Sequence, residues 1–509
     1  MNTIFRRWFR KHKTRLERRL QKRTGGSPAR PVLSDHTLHY EVADQTRAIP
    51  CGGIGLVHQL VGRIGLVGDM DDAVHVLKTH LPYHESDHVL TLAYNALCGG
   101  TCRQDIDRLR NDAAVLDALG ATRIPDPTTA GDFGRRFHDK DARSRLDAFD
   151  RTRRRVWAEQ PDAFFDLAVV DADGTIVETA GRSKQGPDIT YDGRWGDHPL
   201  VLTLANTGEV LSLVNRPGNR PSHEGAAGER TRAATQCLEA GFRKVLFRGD
   251  TDFSQTACLD GWNAIAGLRF VFGYDAKPNL VARAEELPAA AWQRLTRPAR
   301  YAAATATRQK PADVGTGIVR DREYETLRLQ SEDVAEFAYP PTACAREYRM
   351  VVVRKTIART KGQRALFDET RYFFDLTNER EWTPAEIVFS ANDRCHQENL
   401  IAPLKGGVRA LSAPTDTLAS NWVCMVMTAL AWSLKAWWAL MLPDTTGRWQ
   451  DRHRDEKRQV LGWEFRTFVT AFVSLPCQVV TSGRRRILRV LSWNPHPAIF
   501  FRLVDRLRQ

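Results

Sequence analysis

Three apolar strands in a row, then helix, strand, helix and strand between about 164 and 275, predict an α/β core in the order of a ribonuclease H-like fold. The stretch before it reads as helical, and the stretch from 278 to 378 loses the alternation and shows scattered β segments. Together these predict an α/β ribonuclease H-like core split by a β-rich insertion and preceded by a helical N-terminal region. The expected divisions are 1–160 for that region, 161–277 for the first part of the core and 278–378 for the insertion. The last part of the core follows at 379–445, and 446–509 reads as a helical basic tail.

Taken in order, residues 1–25 read as a basic amphipathic helix with Trp8 and Phe9 on its apolar side. From 70 to 158 short helical segments alternate with Gly and Pro punctuation. Within them, IPDPTTAGDFGRRF (124–137) predicts a helix opened by Pro127, Thr128 and Thr129, with Phe133 and Phe137 inward and Arg135 and Arg136 presented outward. That pattern suits a helix-turn-helix recognition element and equally an ordinary structural helix. FFDLAVVDADGTIVE is the first core strand, and HPLVLTLANTGEVLSLV gives two more around an Asn-Thr-Gly turn. A helix from His223 to Ala240 follows, then the strands KVLFRGD and LRFVFGYD. The insertion shows YRMVVVRKT (348–356) and YFFDLT (372–377) as strands. Helix returns at 383, and the apolar run Trp422–Leu442, interrupted by Lys435, reads as a buried core helix rather than a membrane span.

At 509 residues the chain exceeds what one hydrophobic core fills, so several cores or domains are expected. Lys and Arg number 74 against 61 acidic residues, a formal charge of +13 that favours a polyanionic partner. Nine scattered cysteines show no zinc-ribbon or disulfide-framework spacing, and the N-terminus carries no signal-peptide core. Reduced thiols in a cytoplasmic protein fit this usage.

Carboxylates stand at three places where a metal site could form. Asp171 and Asp173 end the first strand, Asp250 ends the fourth, and Glu398 lies on the late helix. Convergent hard oxygens are what Mg²⁺ or Mn²⁺ needs, and strand ends hold them rigidly. Each has an ordinary alternative: Asp173-Gly174 as a turn, Asp250 as a helix cap, Glu398 as an ion-pairing surface residue. Arg394 precedes Glu398 by four residues and Lys405 follows it by seven, which puts all three on or near one helical face. Such cations suit a DNA phosphate backbone, or simply exposed ion pairs.

These motifs resemble the DDE transposases of the Insertion Sequence 1380 family, within the wider group related to Insertion Sequence 4. Asp171-Ala172-Asp173-Gly174-Thr175 matches the family's Asp-x-Asp-[small]-Thr, and Arg248-Gly249-Asp250-Thr251-Asp252-Phe253 its Arg-[small]-Asp-x-x-Phe. Arg394, Glu398 and Lys405 fit the wider group's helix signature, whose Tyr position is Ala391 here. WGDHPL, RPGNRPSHEGA and QENLIAPLKGG extend the likeness over about 80–440. The resemblance implies a cut-and-paste transposase with Asp173, Asp250 and Glu398 as catalytic metal ligands for two Mg²⁺ or Mn²⁺ ions. It also implies double-stranded DNA as partner, contacted by Arg394 and Lys405, and a homodimer that pairs two DNA ends. A catalytically silent DNA-binding protein with this fold, or a nuclease that cuts without joining, remain as alternatives.

Overall fold

A computed structural model describes residues 3–21, 46–80, 82–297, 314–322, 324–361, 364–394, 398–445, 447–483, 485–491 and 494–509. Helix α1 (Thr3–Gln21) buries Phe9, whose ring meets Phe501 at 5.9 Å. Four further helices pack around the core: α2 (Glu85–Leu97), α3 (Pro127–Arg135), α4 (Asp139–Ala158) and α5 (Ala226–Glu239). Phe133 and Phe137 are buried, and Arg135 and Arg136 are exposed, as the spacing predicts. The cap differs from the expected hydroxyls. Asp126 accepts from the amides of Thr128 and Thr129, both at 2.9 Å, because Pro127 at the first helical position shifts the cap one residue upstream.

The core sheet is built on β1 (Leu167–Gly174), with β2 (Leu200–Leu204) and β3 (Glu209–Val214) added antiparallel on one side. Gly208 at φ 74° makes the reversal between them. On the other side β4 (Lys244–Gly249) and then β5 (Leu268–Tyr274) run parallel to β1. The crossover from β3 to β4 is α5, which packs on β1 and β4. Buried Val170, Leu202, Val245 and Phe270 show why these apolar runs become central strands.

The strands described within 278–378 join the core sheet. The strands β6 (Glu325–Tyr339), β7 (Tyr348–Lys361) and β8 (Arg364–Thr377) make an antiparallel meander, and Phe374–Thr377 pairs with Val271–Tyr274 of β5. With the short strand Gln293–Arg294 paired to β6, one nine-stranded sheet results. Helix α6 (Pro384–Asp393) covers the face opposite α5, with Ile387 and Val388 against Leu246, Val271, Val351 and Val353.

A second helix, α7 (Glu398–Gly406), begins after α6 ends at Asp393, with 395–397 outside the described residues. Arg394 caps the end of α6 and Lys405 lies in the last turn of α7. The apolar run is α8 (Leu418–Leu440), and 94% of its most apolar window is buried inside the protein. Its Lys435 is 2% exposed and donates to the Leu461 carbonyl at 2.8 Å. Helices α2, α3 and α4 pack around α8, so the N-terminal helices share its core. At the junction, buried Glu209 accepts from Arg153 Nε (3.1 Å), Trp157 Nε1 (3.0 Å), Thr207 Oγ1 (2.6 Å) and Trp437 Nε1 (2.7 Å). Within the tail expected to be helical, Cys477–Ser482 and Arg485–Val490 form an antiparallel hairpin, and Ala48–Ile49 pairs with its first strand.

Candidate active site

Asp173 and Asp250 each lie two residues past Asp171 and Arg248, the last pair of the parallel β1–β4 ladder. Both face an open cleft of about 830 Å³ whose walls also include His198, Arg220, His223 and Lys405. Asp173 is still held in β1 by its pairing with Val201 of β2, and Asp250 directly follows the last residue of β4. Asp250 also plays the ordinary part open to it: one oxygen accepts from the Asp252 amide at 3.2 Å, starting the short turn Thr251–Phe253. Its other oxygen lies 3.7 Å from Arg394. Partial burial raises the Asp250 pKa, with Arg394 opposing that shift.

Asp171 is engaged differently. It is 1% exposed and takes a two-point fork from Arg248, Nε and Nη2 both at 2.7 Å, while Arg248 Nη1 holds the Ser390 carbonyl at 3.0 Å. That network ties β1 and β4 to α6. Of the two aspartates in VVDADGT, Asp173 is the one that lines the cleft.

Arg394 faces carboxylates from three elements rather than open solvent. Besides contacting Asp250, it offsets the burial that raises Asp171, and it does the same for Asp375, whose pKa burial pushes up to about 7. Lys405 stands exposed at the cleft wall; desolvation lowers its pKa first, and neighbouring Arg194 lowers it further. Glu398 opens α7, seven residues before Lys405, and its side chain lies outside the described residues. Among the described residues, no group of three His, Cys, Asp or Glu is gathered to hold a metal ion. Arg135 and Arg136 are not at this cleft. Arg135 is paired with Asp132 (2.8 Å) and Asp416 (3.3 Å).

A model of the family described as Transposase DDE domain group 1 matches residues 47–509. The chain belongs to that transposase family. Among solved structures, one similar to it is a piggyBac transposase synaptic complex with hairpin DNA. The two share 10% identity over 83% of this chain and 84% of that one, at a TM-score of 0.34. No curated protein matches the chain.

In this member of the transposase family the cleft also contains residues whose part the sequence did not reveal. His198 is 2% exposed and its Nδ1 donates to the Arg220 carbonyl at 2.8 Å, which leaves Nε2 as the proton acceptor. A Cβ at Gly174 would lie 2.7 Å from that Nε2, so glycine is required where the strand carrying Asp173 ends. Burial lowers the His198 pKa and favours the neutral ring. WGDHPL and RPGNRPSHEGA, noted for their likeness alone, supply His198 and the Arg216–His223 loop that folds over it.

Proposed function

We propose that this member of the transposase family cuts double-stranded DNA at the ends of a mobile element and joins those ends to target DNA. The carrying observation is Asp173 and Asp250 at adjoining ends of two parallel strands, facing one cleft with Lys405. The strand order, with two antiparallel strands on one side of β1 and two parallel ones on the other, supports a ribonuclease H-like core. The motifs support a place within the Insertion Sequence 1380 group, acting as a homodimer in the cytoplasm.

Asp173 and Asp250 offer hard oxygen donors that suit Mg²⁺ or Mn²⁺, and Glu398 would complete the set. When bound, such ions supply Lewis acidity at the phosphate and at the attacking and leaving oxygens. Lys405 holds the phosphate backbone at the cleft wall. Arg394 limits mutual repulsion among the carboxylates around it. His198 presents a neutral nitrogen toward the end of β1 and can accept a proton. In cleavage, the oxygen of water bonds to phosphorus and the P–O3′ bond breaks. The 3′ oxygen leaves as a hydroxyl and the other product keeps a 5′-phosphate. In joining, that 3′-hydroxyl makes the same exchange on a target phosphodiester.

The test incubates the full chain with a duplex carrying the inverted repeat that flanks its gene, with Mg²⁺, Mn²⁺ or a chelator. Metal-dependent cutting and joining are expected, and Asp173→Ala, Asp250→Ala or Glu398→Ala should abolish both while DNA binding persists. Binding without cutting would return the chain to a catalytically silent DNA-binding role. Cutting without joining would make it a nuclease.

A further inference from the structure

We propose that Arg230 is the positioning residue of Asp250: its guanidinium clasps the backbone on both sides of that aspartate and fixes the turn from which the carboxylate enters the cleft. This role rests on the DNA-cutting reading above. Arg230 stands on α5, which packs on β1 and β4, and it is 0% exposed. Its Nη2 donates to the Arg248 carbonyl and its Nη1 to the Phe253 carbonyl, both at 3.0 Å. Those two acceptors bracket Gly249, Asp250, Thr251 and Asp252. One planar, rigid fork thus closes the loop 248–253 around Asp250.

A buried guanidinium ordinarily faces a carboxylate, because an unmatched charge in the core is costly. Among the described residues this one is met by carbonyls and rings instead. The Phe253 and Phe272 rings lie 4.9 and 4.7 Å from its Cζ, and its Nε has no hydrogen-bond partner. Burial lowers its pKa to about 9, opposed by Asp171 and then Asp250, so the group stays charged at neutral pH. Asp171 is already taken by Arg248, which leaves Asp250 as the carboxylate that this charge serves. The residues around Asp250 are shaped to the guanidinium. A Cβ at Gly249 would lie 2.5 Å from Arg230 Nη2 and 2.7 Å from the Phe253 Cβ, so the residue before Asp250 has to be glycine. Phe253 covers the guanidinium with its ring and supplies the second acceptor with its carbonyl. RGDTDF (248–253) is in this sense a socket for Arg230. Inside the loop, the Phe253 amide bonds the Asp250 carbonyl at 3.1 Å, and the Asp252 amide bonds an Asp250 carboxylate oxygen at 3.2 Å. β5 approaches the same turn closely: a Cβ at Gly273 would lie 3.2 Å from the Thr251 nitrogen. Without the fork, the turn would keep its short internal bonds and lose its tie to α5.

The experiment compares the full chain with two variants. Arg230→Met occupies the same buried site without donors or charge, and Arg230→Lys keeps the charge and reaches one carbonyl. Hydrogen exchange is read by mass spectrometry on the chain without DNA or metal. In Arg230→Met it should rise about tenfold or more in peptides covering 250–254, while β1 and β2 keep their wild-type exchange. On the duplex with the flanking inverted repeat and saturating Mn²⁺, Arg230→Met should cut roughly a hundredfold more slowly, with KM for DNA unchanged. Arg230→Lys should fall between the two in both measurements, and it carries the test alone if Arg230→Met does not fold. Unchanged exchange at the turn, exchange raised equally throughout the core, or a loosened turn that cuts at the wild-type rate would each overturn the positioning role. Full recovery by Arg230→Lys would assign the effect to charge alone and overturn the two-point clasp. If the unaltered chain cuts no duplex, the DNA-cutting reading falls; the exchange result, which needs no cutting, still upholds or overturns the clasp.

Discussion

Arg248 grips both oxygens of Asp171, and the pair is almost wholly buried. Removing one partner of such a pair strands the other charge, at a cost of about 3–5 kcal/mol. Asp171→Ala should therefore lower the melting temperature sharply, whereas Asp173→Ala should leave melting nearly unchanged and abolish metal-dependent cutting. Comparing thermal melts with cleavage rates for the two variants checks both halves. His88 carries a second residue-scale expectation. It is buried, its ring lies 4.1 Å from Phe133, its Nδ1 has no hydrogen-bond partner, and burial lowers its pKa from 6.5 to about 4. The unfolded chain takes up this proton at higher pH than the folded one. The stability His88 allows is thus complete above 6.5 and is lost as pH falls toward about 4. His88→Phe keeps the stacking and removes the titration. Its melting temperature should fall less than the wild type's between pH 7 and pH 5, and an equal fall would refute the assignment.

At the scale of elements, Glu209 joins β3 to α4 and α8 through four donors, and Arg153 at its side is 1% exposed. Glu209→Ala leaves that guanidinium with only Asp150 and the Val210 carbonyl, so unfolding free energy should drop by about 3–5 kcal/mol in a denaturant titration. The same junction makes a fragment ending near residue 158 a poor unit, since Trp157 and Arg153 would lose their partners. The core strands were legible because Leu167–Val170, Leu200–Leu204 and Lys244–Phe247 are apolar runs bounded by turn residues. Only parts of β7 and β8 stood out, and β6 did not. ETLRLQSEDVAEFAY is mostly exposed and mixed in polarity, and its extended form comes from pairing with β7 rather than from its own pattern. The hairpin Cys477–Val490 was hidden for the same reason: RRRILRV is basic and its partner strand is distant from Ala48 in sequence. In the site, Asp173 and Asp250 were readable from strand ends. His198 was not, because its place in the cleft depends on how separate loops close over β1.

The whole chain carries a formal +13, and exposed cations that do not line the cleft stand on α1 and at Arg136. Under the DNA-binding reading, the logarithm of the association constant should fall linearly with the logarithm of salt concentration. Arg136→Ala should make that slope shallower by about 1 if it meets a phosphate. Arg135→Ala should change it less, because Asp132 and Asp416 already hold that guanidinium. Fluorescence anisotropy of a labelled repeat at several salt concentrations measures both, and equal changes would contradict the difference between them. One further property follows from the pairing of Ala48 with Gln478 and of Ile49 with Cys477. A ribosome that has just released Ile49 must add several hundred residues before the partner strand exists. At about 5–20 residues per second that wait is roughly 20–90 seconds. For most of that time the helices around α8 also lack α8 itself, which ends at Leu440. The strand at Ala48–Ile49 therefore finds its place only after the core sheet and α8 have been made.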